Sequence, residues 1–177
     1  MEFGYAALHC RTAYAVAYTD DARMRGVEHK RQAWREAADK DAFLNSHVIP
    51  VVAGPDHQFF AIDYHHTARA LLDEGVEQAK AAIVADLAEL PERTFWNFLD
   101  QRAWCRPYNA HGERCEIQDI PTSLSGLQDD PFRSLVADIH KRGGFAKNET
   151  PYSEFLWADS IASAWRLSCC RPSLTRR

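Results

Sequence analysis

The densest run of chemistry-bearing side chains is Phe59-Phe60-Ala61-Ile62-Asp63-Tyr64-His65-His66-Thr67-Ala68-Arg69-Ala70-Leu71-Leu72. An apolar stretch ends in a carboxylate, and two imidazoles follow where the apolar spacing turns helical. A helix start exposes unpaired backbone N–H groups and the positive end of the helix dipole, so anions bind there readily. Imidazole titrates at about pH 6.5, which suits proton transfer or polarisation of a phosphate. Two readings follow. Asp63, His65 and His66 form a catalytic set for an anionic substrate, or Asp63 merely caps a helix and the histidines are polar filler.

Other chemistries fit less well. His65 and His66 would point about 100° apart on a helix, so they would struggle to share one zinc ion. The sequence has no HExxH and no CxxC. Asp63 with one histidine could still touch a magnesium–nucleotide complex. There is likewise no GxxxxGK[ST] loop, GxGxxG turn or GxSxG elbow.

Two further polar clusters stand out. Arg23-Met24-Arg25-Gly26-Val27-Glu28-His29-Lys30-Arg31 gathers cations around an expected helix start, suited to a polyphosphate or simply to a solvated face. In Gly143-Gly144-Phe145-Ala146-Lys147-Asn148-Glu149-Thr150-Pro151-Tyr152-Ser153-Glu154-Phe155-Leu156-Trp157-Ala158-Asp159 the aromatic residues read as core, while Lys147, Glu154 and Asp159 are harder to explain by packing.

The elements that must position these groups are a small sheet and several helices. Apolar spacing predicts one helix over residues 27–44, with Val27, Trp34, Ala37, Ala38 and Leu44 on its buried face. Val48-Ile49-Pro50-Val51-Val52-Ala53 reads as a strand that Pro50 places at an edge or a bulge. Gly54-Pro55-Asp56-His57 is turn chemistry and Gln58–Asp63 a second strand, together a hairpin. A short helix marked by Ala68, Leu71 and Leu72 should stop at Gly75. Ala79–Ala85 is a third strand. Helices follow Pro91 (Phe95, Phe98, Leu99), Pro131 (Phe132, Leu135, Val136, Ile139) and Pro151 (Phe155, Ala162, Trp165), with residues 103–128 loop-rich. The expected class is mixed α/β, of the α+β kind: a small mixed sheet with surrounding helices. Residues 1–22 form an arm of no steady period, 23–166 one domain and 167–177 a basic tail.

Composition bounds the partners. The chain has 177 residues, 46% hydrophobic and 26% charged, with a net charge of −4. Residues 1–140 carry 14 basic and 22 acidic side chains, residues 141–177 seven and three. An acidic body is not a nucleic-acid surface. The basic tail with Arg166, Arg171, Arg176 and Arg177 could touch the phosphates of nucleic acid, or is simply solvated. Five cysteines (Cys10, Cys105, Cys115, Cys169, Cys170) at irregular positions make no disulfide framework. No apolar span suits a membrane or a signal peptide, so a cytoplasmic location is expected.

Val48-Ile49-Pro50-Val51-Val52-Ala53-Gly54-Pro55 followed by Ile62-Asp63-Tyr64-His65-His66-Thr67-Ala68-Arg69-Ala70-Leu71 resembles the ParB-like nuclease family, whose pattern typically reads IPVVLGPGG…LIDHHHLARAL. The likeness continues through Val84–Leu87, Phe95-Trp96, Trp104, Pro107-Tyr108, Leu127–Leu135, Gly143-Gly144-Phe145 and Pro151–Asp159. It spans roughly residues 24–166. The chain departs from the pattern at Tyr64, a histidine in the family, and at Leu156, usually arginine; the family's VGMREV is only loosely recognisable in Arg23–Val27. The resemblance implies a ParB/sulfiredoxin-like fold in which the turn near Asp63–Arg69 binds nucleotide phosphates. Superfamily members include partition proteins that bind cytidine triphosphate, sulfiredoxin, nucleases, and kinases of free serine with a segment similar to Asp63-Tyr64-His65-His66. Centromere-type DNA binding is not expected, because the partition proteins' helix-turn-helix has no counterpart here.

The combined expectation is a nucleotide-dependent enzyme making or breaking a phosphoryl bond. Phosphoryl transfer needs mainly charge stabilisation. Asp63, His65 and His66 would be catalytic, and Lys30, Arg31, Arg69 and Lys147 would contact phosphate or substrate. Glu154 or Asp159 would hold a cation or a substrate amine. The cofactor would be a nucleotide of the ATP, ADP or CTP type with Mg2+. Transfer to a small molecule and phosphodiester hydrolysis share these parts, the acidic body favouring the small molecule. The rival is a non-catalytic module that binds a nucleotide or DNA.

Overall fold

Branched and aromatic residues at 49–53 and 59–61 form the hairpin from which the sheet grows. Strand β3 (Ile49–Ala53) pairs antiparallel with β4 (Phe59–Ala61), placing Val51 opposite Ala61 and Val52 opposite Phe60. Side chains alternate across a strand, so Val51 and Ala61 face one side of the sheet and Val52 and Phe60 the other. Each pair enters a different hydrophobic cluster.

From β4 the chain enters helix α3 (His65–Asp73) and returns as β5 (Gln78–Asp86), parallel to β3. Gly75 ends α3 with φ of 74°, and the Val76 N–H reaches back to the Leu71 carbonyl. That is the glycine stop expected of this position. Two short N-terminal strands, β1 (Tyr5–His9) beside β5 and β2 (Tyr14–Ala15) beside β4, give a mixed sheet of order β1-β5-β3-β4-β2. The arm of no clear period thus supplies both outer strands. The two-residue β2 is too short for alternation to show, and Tyr5-Ala6-Ala7-Leu8-His9 lacks the β-branched residues that mark β3.

The computed structural model describes residues 5–9, 14–15, 24–108, 113–127, 130–146 and 148–169. These divide into two compact units, Met1–Asp130 and Pro131–Arg177. No helix among the described residues is long and apolar enough to cross a membrane. The mixed α/β class read from the sequence is the class observed.

Two expectations in the first unit need correction. The helix expected over 27–44 is two, α1 (Met24–Glu36) and α2 (Lys40–Ser46). Asp39 breaks it by accepting the Ala42 N–H at 2.9 Å, an N-cap that starts the second helix. Lys40 Nζ meanwhile donates to the Trp34 carbonyl near the end of the first. Pro50 does not lie on an edge, since β3 is the central strand. The proline sits at the strand's second residue, its carbonyl accepts the Ile62 N–H at 3.1 Å, and the β3–β5 register shifts just after it, between Val51 and Val52. The bulge half of that reading holds.

The first unit has helices on both faces of its sheet. Val27 of α1, Phe43 of α2 and Ala68 and Leu71 of α3 bury one face. Phe95 and Leu99 of α4 (Glu92–Gln101), with Cys105 and Ile120, bury the other. Each fully buried large side chain contributes about 1.5–3 kcal/mol.

In the second unit α5 (Pro131–Lys141) packs on α6 (Ser153–Cys169). Phe155, Ala158 and Ala162 are buried at helical spacing, but Trp165, expected in the core, is 63% exposed. Helix α6 has 17 residues against 11 in α5 and outruns it. Leu135 is also exposed, leaving Val136 and Ala137 as the buried pair of α5.

Candidate functional site

Asp63 and the two histidines straddle the junction between β4 and α3, and that junction treats them differently. Helix α3 begins at His65, and its N-cap is Tyr64, not Asp63. Tyr64 adopts a left-handed conformation (φ 61°, ψ 28°), uncommon for a bulky residue, and provides no side-chain cap. Its ring is exposed. The Asp63 carboxylate accepts the Tyr64 N–H at 2.6 Å and stays exposed. The helix therefore starts with its positive end uncapped by a side chain and an exposed carboxylate one residue ahead of the cap.

His65 is 3% exposed. Its Nε2 lies 3.0 Å from the carbonyl of Ala61, and its Nδ1 is also buried. The imidazole ties the last residue of β4 to the first turn of α3, which fixes the angle between strand and helix. His66 is half-buried, with Nε2 buried. Its ring lies against α1 at Gly26, where an added β-carbon would come within 2.6 Å of Cδ2 and 3.0 Å of Nε2. Of the two imidazoles, His66 is the one that keeps solvent exposure.

The cations expected around this turn are distributed elsewhere. Helix α1 runs alongside α3 in the same direction, with Gly26 at His66 and Arg31 and Arg35 at Glu74. Glu74 is the C-cap of α3. Nine residues at 1.5 Å each make α3 roughly 13 Å long, so the Arg31 guanidinium sits at the far end of the helix from Asp63. Arg31 Nε donates to Glu74 at 2.7 Å and Arg35 donates to both its oxygens, at 2.9 and 2.7 Å. The guanidinium of Arg35, then that of Arg31, holds the Glu74 carboxyl below the usual carboxylate range. Lys30 lies half-buried on the same helix.

Arg69, one turn into α3, is a brace. Its Nη1 donates to the carbonyls of Leu124 (3.2 Å), Ser125 (3.0 Å) and Leu127 (3.3 Å), and its Nε to Asp73 at 2.9 Å. The tight turn at Leu124–Gly126 is held to α3 in this way. Glu154 and Asp159 belong to the second unit, where Glu154 pairs with the buried Arg133, whose guanidinium also lies over the Phe155 ring at 4.9 Å. Lys147 and the tail arginines 171, 176 and 177 lie outside the described residues.

Sequence reasoning missed a cleft of about 880 Å³ on the other face of the sheet. The β3–β4 turn, the first two turns of α4 and residues 117–122 line it, and Asp63, His65 and His66 are not among its walls. The signal that could have found it is the run Pro91-Glu92-Arg93-Thr94-Phe95-Trp96-Asn97, charged and polar residues interleaved with aromatics at a helix start. Cys105, behind the same aromatic cluster, is no nucleophile, because burial pushes its thiol up to about 12. Among the described residues no three His, Cys, Asp or Glu side chains gather as a metal-binding group.

The sequence profile of a family described as "Putative ParB-like nuclease" matches residues 21–163. The chain is also similar to a solved structure, that of protein Atu1540 from Agrobacterium tumefaciens. The two share 36% sequence identity and a TM-score of 0.79, over 90% of this chain and 80% of that one. No curated protein matches.

Proposed function

The chain belongs to the ParB-like nuclease family, and from that premise we propose that the junction between β4 and α3 binds the phosphates of a nucleotide for phosphoryl transfer. One observation carries the reading. The first turn of α3 has no side-chain cap, and an exposed carboxylate and a half-buried imidazole stand beside it. The partial positive charge of a helix start favours a phosphate, and a carboxylate next to it suits a base or a magnesium contact.

In this reading Asp63 accepts the proton of an acceptor hydroxyl as its oxygen bonds to the terminal phosphorus. The bond from that phosphorus to the bridging oxygen breaks, and the nucleoside diphosphate leaves. His66 polarises the transferring group. His65, sealed against Ala61, acts as a positioning residue that sets the start of α3. Magnesium commonly binds through one or two carboxylates plus substrate phosphates, a donor set that Asp63 and a nucleotide would complete; when bound it would neutralise phosphate charge. The acceptor is a small molecule rather than nucleic acid, in keeping with the acidic body.

A second reading, a nucleotide-binding module without chemistry, is favoured by one specific fact. Arg31 and Arg69, the cations expected at the phosphates, are engaged in internal bonds.

The experiment is thermal melting with ATP, ADP or CTP, each with and without Mg2+, alongside assays of phosphate release and transfer. The enzyme reading expects stabilisation and turnover, with turnover falling 10²-fold or more in Asp63→Asn and His66→Ala. Stabilisation without turnover would establish the module instead. No response to any nucleotide would remove both.

A further inference from the structure

We propose that the cleft between the β3–β4 turn and helix α4 is a binding site for a zwitterionic amino acid with an aromatic side chain. It stands apart from the phosphate site and does not depend on that reading.

Chemistry and placement point to this ligand together. Glu92 and Arg93 are consecutive residues in the first turn of α4, both exposed and both in the cleft wall. Among the described residues neither makes an ion pair or hydrogen bond with another side chain. Both line the cleft, so it offers a carboxylate to the ammonium and a guanidinium to the carboxylate of an α-amino acid. Asn97 lies one turn beyond Arg93 on the same helix face and offers a second donor to the ligand carboxylate. Asp56, on the facing turn, offers a second acceptor to the ammonium.

The floor decides the side chain. Phe60 and Trp96 meet edge to face at 5.5 Å, with Phe95 packed against both, and all three line the cleft. Trp96 follows Glu92 by four residues, one turn along the helix, so a ring attached to a head group at Glu92–Arg93 would lie over the aromatic floor. Aromatic pairs in offset or edge geometry add about 0.5–1.5 kcal/mol beyond burial.

The volume suits a small molecule, since such sites span about 300–1,000 Å³. Two carboxylates against one guanidinium disfavour a polyphosphate. Asp56 and His57 also hold left-handed conformations (φ 55° each) in the turn that forms one wall. Backbone strain of this kind concentrates at ligand clamps.

The test is ligand-observed NMR and titration calorimetry on the full chain with L-phenylalanine, phenethylamine, which lacks the carboxylate, and 3-phenylpropionate, which lacks the amine. Phenylalanine should bind with a Kd of millimolar or below, and each analogue at least tenfold more weakly. Arg93→Gln and Glu92→Gln should each raise the phenylalanine Kd tenfold or more while leaving the circular dichroism spectrum and Tm near those of the unaltered chain. His66→Ala should bind phenylalanine normally, so failure of the phosphate site leaves this result intact. No phenylalanine binding, an analogue that binds as tightly, or binding that survives both charge substitutions would each overturn the proposal.

Discussion

Gly26 and His66 touch across the α1–α3 packing so closely that a β-carbon on residue 26 would sit 2.6 Å from the imidazole Cδ2. The absence of a side chain at one position fixes where the ring at the other can lie. Gly26→Ala should therefore cost about 1–3 kcal/mol from overpacking, against about 1 kcal/mol gained in helix propensity. In a His66→Ala background the clash disappears, and the same substitution should be neutral or stabilising. Urea melts of the four proteins in this cycle give the coupling directly; equal effects in both backgrounds would show that the ring is not held by α1.

Asp56 and His57 both occupy left-handed backbone in the turn between β3 and β4. Such a conformation costs an L-residue roughly 1–2 kcal/mol, less for aspartate, whose short side chain tolerates it. His57→Gly should raise stability by about 0.5–1 kcal/mol after the entropy glycine adds to the unfolded chain. Asp56→Gly should raise it less. Thermal or denaturant melts check both the sign and the order.

Arg69 holds three carbonyls of the 124–127 turn and the Asp73 carboxylate. Hydrogen bonds involving a charged group contribute about 1.5–3 kcal/mol each, but those made through the single Nη1 are shared among three acceptors. Arg69→Met should lose about 2–4 kcal/mol, and hydrogen exchange should speed up first in the segment containing residues 124–127. Arg69→Lys should recover little, since an ammonium cannot reach both sets of acceptors from one fork.

Glu74 bridges Arg35 and Arg31, which hold its carboxyl below the usual range. A carboxylate with a lowered folded pKa stabilises the fold above its unfolded pKa and loses that contribution as pH falls through the folded value. The stability difference between the unaltered chain and Glu74→Gln should be steady near neutrality and shrink towards zero below the ordinary carboxylate range. It should also shrink in high salt, because the pair is solvent-reachable. A difference that grows on acidification would contradict the assignment.

The sequence by itself determined the elements whose signals are local. Val51-Val52 and Phe59-Phe60 announce a buried hairpin, Gly75 a helix stop, and Pro91, Pro131 and Pro151 helix starts, because alternation, left-handed caps and the missing proline N–H act within a few residues. It also marked Asp63, His65 and His66 as a group, since they are neighbours on the chain. What it could not decide is which of them faces solvent. That depends on the angle between β4 and α3, and the angle is set by His65 bonding back to Ala61 and by α1 lying on His66 through Gly26. Residues 26 and 66 are 40 positions apart, and no periodicity links them.

The same limit applies to the cations and the cleft. Arg31 reads as a phosphate ligand until α1 is seen running parallel to α3, which carries it to Glu74 at the wrong end. Asp56 reads only as part of a turn, and its place in the lining of a cavity with Glu92 follows from the packing of the β3–β4 turn near α4. Side-chain identity and local backbone preference are properties of the chain. Burial, partner choice and cavity shape arise only when distant segments pack, so tertiary structure alone decided which of these charges are paired and which line a cavity.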